Sequence, residues 1–308
     1  MRIPLSAPEI TEQDIDAVTG VLRTSSLSLG PKLGEFERAI SHYVGAADAI
    51  AVNSGTSGLH LCIRALGISE GDEVLVPAFT FIAVANAVRY ERATPVFVDI
   101  EPRTLNLDPS LVEQAITSRT RAIVVVHTFG CPAELTSILQ IARRHGLFVI
   151  EDACEAIGAE YEGRKVGALG DVGVFAFYPN KQITTGEGGV VVTNNSEIAL
   201  KVRKLRNQGR DDSAEWFQHT ELGYNYRISD INCALGIEQL KRIDSILDKR
   251  EAIARAYSRT LDADPDLVLP PTAFLPYSQL RELLADERRR PIHSVSVRAL
   301  AVVTQRSP

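Results

Sequence analysis

The chain has little of what stabilises small secreted domains or anchors proteins in membranes. Among its 308 residues are four cysteines, one tryptophan and one methionine. Cys62, Cys131, Cys154 and Cys233 are widely spread with no Cys-x-x-Cys pair, which argues against a disulfide framework and a zinc ribbon. No His-Glu-x-x-His or comparable ligand spacing occurs, so no metal is expected. Basic excess is missing too: 33 Lys+Arg against 39 Asp+Glu gives a net charge of −6. General binding to nucleic acid, which needs phosphates neutralised, is therefore not expected. The longest apolar runs, such as residues 122–126, fall far short of the roughly 20 residues that span a bilayer. The N-terminal stretch MRIPLSAPEITEQDID lacks the apolar core of a signal peptide. These deficits predict a soluble cytoplasmic protein with no membrane contact. What is present is a globular balance, 45% hydrophobic and 23% charged. It suits one large domain with a smaller piece and excludes disorder over most of the length.

Helical spacing is read at 34–44, 56–66, 79–89, 111–117 and 134–145, with Gly67 and Gly146 as stop signals. Short apolar strands are read at 72–77, 95–100, 121–126 and 147–150. Strands apolar on both faces and separated by helices predict a mostly parallel sheet covered on both sides. Further along, strands at 172–178 and 189–193 flank the loop PNKQITTGEGG. A basic helix is read at 197–206 and a long polar connector helix at 228–256. Beyond Asp262 the sequence turns Pro-rich, then Arg-rich, and predicts a remnant too small for its own core.

Ligands of open parallel sheets bind at the carboxyl ends of the strands, and four such places carry chemistry. Asn53-Ser54-Gly55-Thr56-Ser57-Gly58 feeds small residues into a helix start, where free N–H groups and the dipole suit a phosphate; a plain capped turn reads the same way. Glu151-Asp152 ends a strand, and an acid there needs a cation or a protonated nitrogen, unless it is only a helix cap. Lys181 sits between two apolar strands, where a lowered pKa makes a nucleophile; most lysines are merely solvated. Gly223-Tyr224-Asn225-Tyr226-Arg227 precedes a long helix and suits either an anion-reading loop or a subunit contact. His127 follows a strand end, which suits a substrate contact or a structural role equally. Taken together, a phosphate cup, an acid for a ring nitrogen and a Schiff-base lysine describe a pyridoxal phosphate site.

From about Ser25 to about Tyr257 the sequence resembles the DegT/DnrJ/EryC1/StrS family of sugar aminotransferases. The motifs that carry the likeness are SGTSGLHLCIRALG, GDEVLVPAFTFIAVANAV, TPVFVDIEPRTLNLDP, HTFGCPAELTSI, VIEDACEAIGAEYEGRKVGALGD, FAFYPNKQITTGEGGVVVTN and LGYNYRISDINCALG. The resemblance implies an α/β fold of the type I pyridoxal-phosphate class, with a mostly parallel seven-stranded sheet. A cofactor-binding large domain would span 1–245, and a connector helix with an incomplete small domain 246–308. It implies that Lys181 bonds the cofactor and moves the proton, and that Asp152 pairs with the ring nitrogen. Glu155 would lie near the phenolic oxygen, Phe81 would stack on the ring, and Gly55 and Thr56 would hold the phosphate. Asn225 would reach the phosphate of a neighbouring subunit, making a homodimer with shared sites, and Arg227 would support that loop or meet substrate. The implied reaction passes an amino group from glutamate to a nucleotide-linked 4-keto-6-deoxy sugar, for surface polysaccharide or secondary metabolites. The ITTGEGG stretch is most similar to enzymes making 4-amino sugars such as perosamine. Alternatives are a truncated, catalytically defective paralogue and a sugar dehydratase of the same fold. Relatives of the last kind carry His in place of the lysine. Three departures stand out: Ala176 where the family has Ser, Val84 for a common Thr or Ser, and the unrecognisable C-terminal segment.

Overall fold

A computed structural model describes residues 6–211 and 218–261. The expected small-domain remnant at 262–308 lies outside the described residues, and the boundary expected at 245/246 falls inside a helix.

Strands β1 (Asp48–Val52), β2 (Glu73–Pro77), β3 (Thr94–Val98), β4 (Thr120–Val126), β5 (Phe148–Asp152), β8 (Val172–Ala176) and β9 (Gly189–Thr193) build one seven-stranded sheet. Its order is β1-β9-β8-β5-β4-β2-β3. Only β9 runs against its neighbours; it pairs antiparallel with both β1 and β8. The remaining pairs are parallel, as the doubly apolar strands predict. A two-stranded hairpin, β6 (Glu160–Tyr161) with β7 (Arg164–Lys165), lies apart from this sheet.

Period-two alternation divides the strand side chains between two apolar layers. Ala49, Ala51, Leu75, Ile123, Val125, Val149, Phe175, Val190 and Val192 pack on one face, against α2 (Pro31–Val44), α6 (Leu135–His145) and α8 (Asp230–Lys241). Ile50, Val52, Val74, Val76, Val124, Ile150, Val174 and Val191 pack on the other, against α3 (Gly55–Ala65), α4 (Ala83–Tyr90) and α7 (Ser196–Arg206). Each fully buried aliphatic side chain contributes about 1.5–3 kcal/mol of transfer free energy, so both faces must be covered for the sheet to persist.

Helix ends follow the local signals. Pro31 opens α2, and Gly45 (φ 73°) closes it in the left-handed conformation. Glu134 caps α6 by accepting from the Ser137 N–H, and Gly146 (φ 63°) stops it. Three expectations need correction, and two elements were not read. The helix expected from residue 79 starts only at Ala83, leaving Phe79 and Phe81 exposed ahead of it. The helix expected at 111–117 is a four-residue α5 (Pro109–Val112) followed by a 3-10 turn. The long connector is two helices, α8 and α9 (Ile243–Leu261), broken at Arg242 (φ −109°, ψ 7°). There the Arg242 guanidinium reaches back to Asp14 at 2.6 Å. Finally, α1 (Glu12–Leu22) and β1 carry too little periodicity to be read. DAIAV is short and alanine-rich, and it becomes a strand because β9 pairs with all five of its residues.

Candidate active site

The strand order brings three chain ends to one edge of the sheet. β1 delivers the Asn53–Thr56 loop, β5 ends at Asp152, and β8 runs into the loop that carries Lys181. β9 lies between β1 and β8, so the start of α3 crosses above it and above the end of β8. The crossing is tight. A Cβ on Gly55 would come within 2.7 Å of the Ala176 Cβ and 3.1 Å of the Cys154 sulfur. One on Gly189 would strike the Ser54 carbonyl at 2.6 Å. Glycine is required at both positions by close approach.

Ser54 caps α3, its hydroxyl accepting from the Ser57 N–H at 3.0 Å, and the Ser57 hydroxyl donates to the Asn53 amide oxygen at 2.6 Å. This local web leaves the N–H groups of Gly55 and Thr56 at the helix start with no acceptor inside the helix. Together with the dipole they form an anion cradle. Ala176 places a methyl group at its floor, where the resemblance expected a hydroxyl.

The two acids of β5 have opposite fates, because adjacent strand residues face opposite sides. Glu151 points away from the candidate site and is fully buried. It accepts from His127 Nε2 at 2.9 Å, the Gly167 N–H at 2.7 Å, and the Leu169 and Gly170 N–H groups at 2.6 Å each. Burial pushes its pKa up, but the hydrogen bonds from His127 and from the backbone donors outweigh it and hold the carboxyl below its ordinary value. His127 is likewise fully buried, and its other ring nitrogen accepts from the Ala133 N–H at 3.1 Å. Of the two roles open to His127, substrate contact or structure, its geometry fits the structural one: both nitrogens are engaged, no surface is exposed, and it braces Glu151.

Asp152 faces the site. Its Oδ1 accepts from the Cys154 N–H at 3.1 Å. Burial raises its pKa, only partly countered by the Cys154 donors and by the charge of Lys181. No cation lies within ion-pair distance of it among the described residues. Cys154, which the sequence left without a role, supplies this hydrogen bond and touches the cradle.

Lys181 lies in the loop between β8 and β9, and its Nζ pairs with Glu155 Oε1 at 2.9 Å. Several bonds fix this loop. The Gln182 side chain donates to the Glu155 carbonyl, and Thr184 Oγ1 donates to the Phe177 carbonyl at 2.9 Å. Asn232 on α8 donates to the Thr185 carbonyl at 2.6 Å, and Arg250 on α9 donates to the Lys181 carbonyl at 2.8 Å. Phe81 stands 74% exposed at the same edge, free to cover a flat ring. Beside it Phe79 meets Phe129 edge to face at 6.2 Å, and Phe129 is held in the left-handed region (φ 53°) where a bulky residue is strained.

Asn225 is exposed, and its carbonyl lies 3.5 Å from the Asn53 side-chain amide. Arg227 is turned away, donating to Asn207 Oδ1 at 3.0 Å and Gln208 Oε1 at 2.6 Å. These bonds fit support of the loop. Asn225 thus lies near the cradle of its own chain, which bears on neither side of the expectation that it serves a partner subunit.

The residues present fit pyridoxal phosphate. The cradle suits its phosphate, the buried and unpaired Asp152 suits a protonated ring nitrogen, exposed Phe81 suits the ring face, and Lys181 is the amine. This is the arrangement of a fold type I pyridoxal-phosphate enzyme. The chain belongs to the DegT/DnrJ/EryC1/StrS aminotransferase family, whose model matches residues 8–278. It is 47% identical over 262 residues to GDP-perosamine synthase of Caulobacter vibrioides, covering 84% of this chain and 70% of that protein. The solved structure of DesV from S. venezuelae matches with a TM-score of 0.82 and 41% identity, over 85% of this chain and 70% of that one. A Streptococcus pneumoniae aminotransferase solved in its PLP and PMP forms matches with a TM-score of 0.82 and 30% identity, over 85% and 72% of the two chains. The protein is therefore a pyridoxal-phosphate-dependent aminotransferase. No described helix is long and apolar enough to cross a membrane.

Proposed function

We propose that the protein transfers an amino group from glutamate to a nucleotide-linked 4-keto-6-deoxy sugar, yielding an amino sugar for surface polysaccharide or secondary-metabolite synthesis. The observation that carries the transfer chemistry is the meeting of the Lys181–Glu155 pair, Asp152 and the Ser54–Thr56 cradle at one sheet edge. The sugar substrate is supported by the 47% identity to a GDP-perosamine synthase and 39% to a second one, from Escherichia coli O157:H7.

When bound, pyridoxal phosphate supplies an aldehyde that takes up the amino group and a ring that spreads the charge left on the donor's α-carbon. The chain's own residues then have defined tasks. Asp152 stays ionised against the proton of the ring nitrogen, and that proton supplies the countercharge its burial otherwise lacks. Lys181 must lose a proton to act as nucleophile, and the Glu155 carboxylate at 2.9 Å is placed to accept it. Once displaced by the donor, the Lys181 amine takes the proton from the donor's α-carbon. Phe81 shields the ring face from water. Asn225 reaches the phosphate held by a partner subunit, so the working form is a homodimer, with Arg227 bracing its loop. Residues 1–245 act as the cofactor-binding unit, and those from 246 begin the connector to a smaller one. All four cysteines are free, which supports a cytoplasmic location.

The test is an absorbance titration with pyridoxal phosphate, before and after glutamate, on wild type and Lys181→Ala. A visible band that depends on Lys181 and shifts with glutamate is expected, followed by turnover of a nucleotide-linked keto sugar. A wild-type chain that gives no such band overturns the proposal in favour of a non-catalytic product.

A further inference from the structure

Behind the cradle lies a buried polar cluster that the reaction does not use. His60 sits on α3 four residues after Thr56, hence on the same helix face. Its Nε2 lies 2.8 Å from Glu91 Oε1, and its Nδ1 lies 3.1 Å from the Tyr226 hydroxyl. The Tyr224 hydroxyl donates to Glu91 Oε1 at 3.0 Å, and Arg64 donates to Glu91 Oε2 at 3.0 Å. The Tyr224 and Tyr226 rings stack on each other at 5.0 Å and 12°. The backbone between them is extended: the Tyr224 N–H donates to the Leu205 carbonyl, Tyr226 donates to that of Arg206, and the Tyr226 carbonyl accepts from Asn53. In an extended segment alternate residues face opposite ways. With both tyrosines turned inward, Asn225 between them is turned outward, and its backbone lies beside Asn53 at the cradle.

A cluster of this kind is an expensive way to fill space. Well-packed apolar residues would do so at no desolvation cost, whereas a satisfied polar network fixes direction and register. We propose that the His60–Glu91 pair is a positioning device, clamping Tyr224 and Tyr226 so that Asn225 is held outward in one orientation, ready for the phosphate of the partner subunit. This rests on the reading that Asn225 binds the cofactor phosphate. His60 and Glu91 touch neither cofactor nor substrate; they act through the loop.

The test uses the full chain as wild type, His60→Leu, Tyr226→Phe, Asn225→Ala and the His60→Leu/Asn225→Ala double variant. Two quantities are read: apparent affinity for pyridoxal phosphate, and amide hydrogen exchange of residues 222–228 in cofactor-free protein. His60→Leu and Tyr226→Phe should each speed exchange in that segment and weaken cofactor affinity by about tenfold, the loss of roughly one well-made buried hydrogen bond. Asn225→Ala should weaken affinity without altering exchange. The double variant should bind no worse than Asn225→Ala alone, because a residue acting through Asn225 has nothing left to position. Unchanged exchange in both clamp variants, or affinity losses that multiply in the double variant, overturns the proposal. An Asn225→Ala enzyme that binds cofactor like wild type overturns the phosphate reading and the proposal with it. That failure is distinguishable, since exchange would still respond to His60. Tyr226→Phe keeps the ring stack and removes one hydrogen bond, so it remains readable if His60→Leu folds poorly.

Discussion

Substituting Gly55 by alanine puts the geometry of the cradle under direct test. The added methyl carbon would lie 2.7 Å from Ala176 Cβ and 3.1 Å from Cys154 Sγ, against the roughly 3.5–4.0 Å at which carbons attract. Neither neighbour recedes freely. Ala176 is paired to Gly189 across the sheet, and Cys154 is held by Asp152 and Val174. Overpacking of this kind costs about 1–3 kcal/mol, and the rigid setting places it near the top of that range. Replacing glycine with alanine in a helix returns about 0.5–1 kcal/mol. The net loss is about 2 kcal/mol, or about 4–8 °C in melting temperature by the scaling for domains of 150–250 residues. Ala176→Gly removes the opposing methyl group and should restore most of the loss in the double variant, at the price of about 0.5–1 kcal/mol when made alone. Thermal unfolding of the four proteins gives the coupling energy directly. If Gly55→Ala melts at or above wild type, or if Ala176→Gly fails to rescue it, the contact that shapes the cradle is wrong.

Two further outcomes follow from the split acids of β5. Asp152 is buried without a cation in the cofactor-free protein, and its raised pKa means that, at pH values between its ordinary pKa and the raised one, the native state holds a proton that the unfolded chain gives up. Its contribution to stability is therefore lost as pH rises from its ordinary value of 3.8 through the raised one. Asp152→Asn should accordingly stabilise the cofactor-free protein at neutral pH, by on the order of 1 kcal/mol, while abolishing transamination. Equal or lower stability by calorimetry would show that Asp152 is not an uncompensated charge. Glu151 has the opposite sign. Its lowered pKa contributes stability that is present above its ordinary value of 4.5 and lost as pH falls below that through the folded value. Glu151→Gln turns an amide donor toward a ring of donors and should cost about 2–4 kcal/mol at pH 7, with a flatter acid limb in the pH–stability curve. A variant with an unchanged acid limb would remove Glu151 from that role.

Much of this protein is written locally. Doubly apolar strands separated by amphipathic helices required a parallel sheet covered on both sides. Gly67 and Gly146 mark helix ends within a residue or two, because caps act over one turn. Ser54 through Thr56, Asp152 and Lys181 were each legible as residue types at strand ends, and Lys181 and Asp152 gained weight only as a set.

Tertiary structure decided what no local signal could. DAIAV became β1 because β9 needed a partner, and that insertion brought the start of α3 over the end of β8. Which acid faced the site was decided by strand alternation, so Asp152 turned toward the cradle while Glu151 took His127 inward as its partner. The length of the connector was decided at Arg242, where a guanidinium leaves helical geometry to reach Asp14. The cluster of His60, Glu91, Tyr224 and Tyr226 joins residues more than 130 positions apart, and only the folded chain brings them together. Sequence determines which side chains are available and the period on which they recur; the meeting of distant ones depends on strand order and on the packing of helices across the sheet.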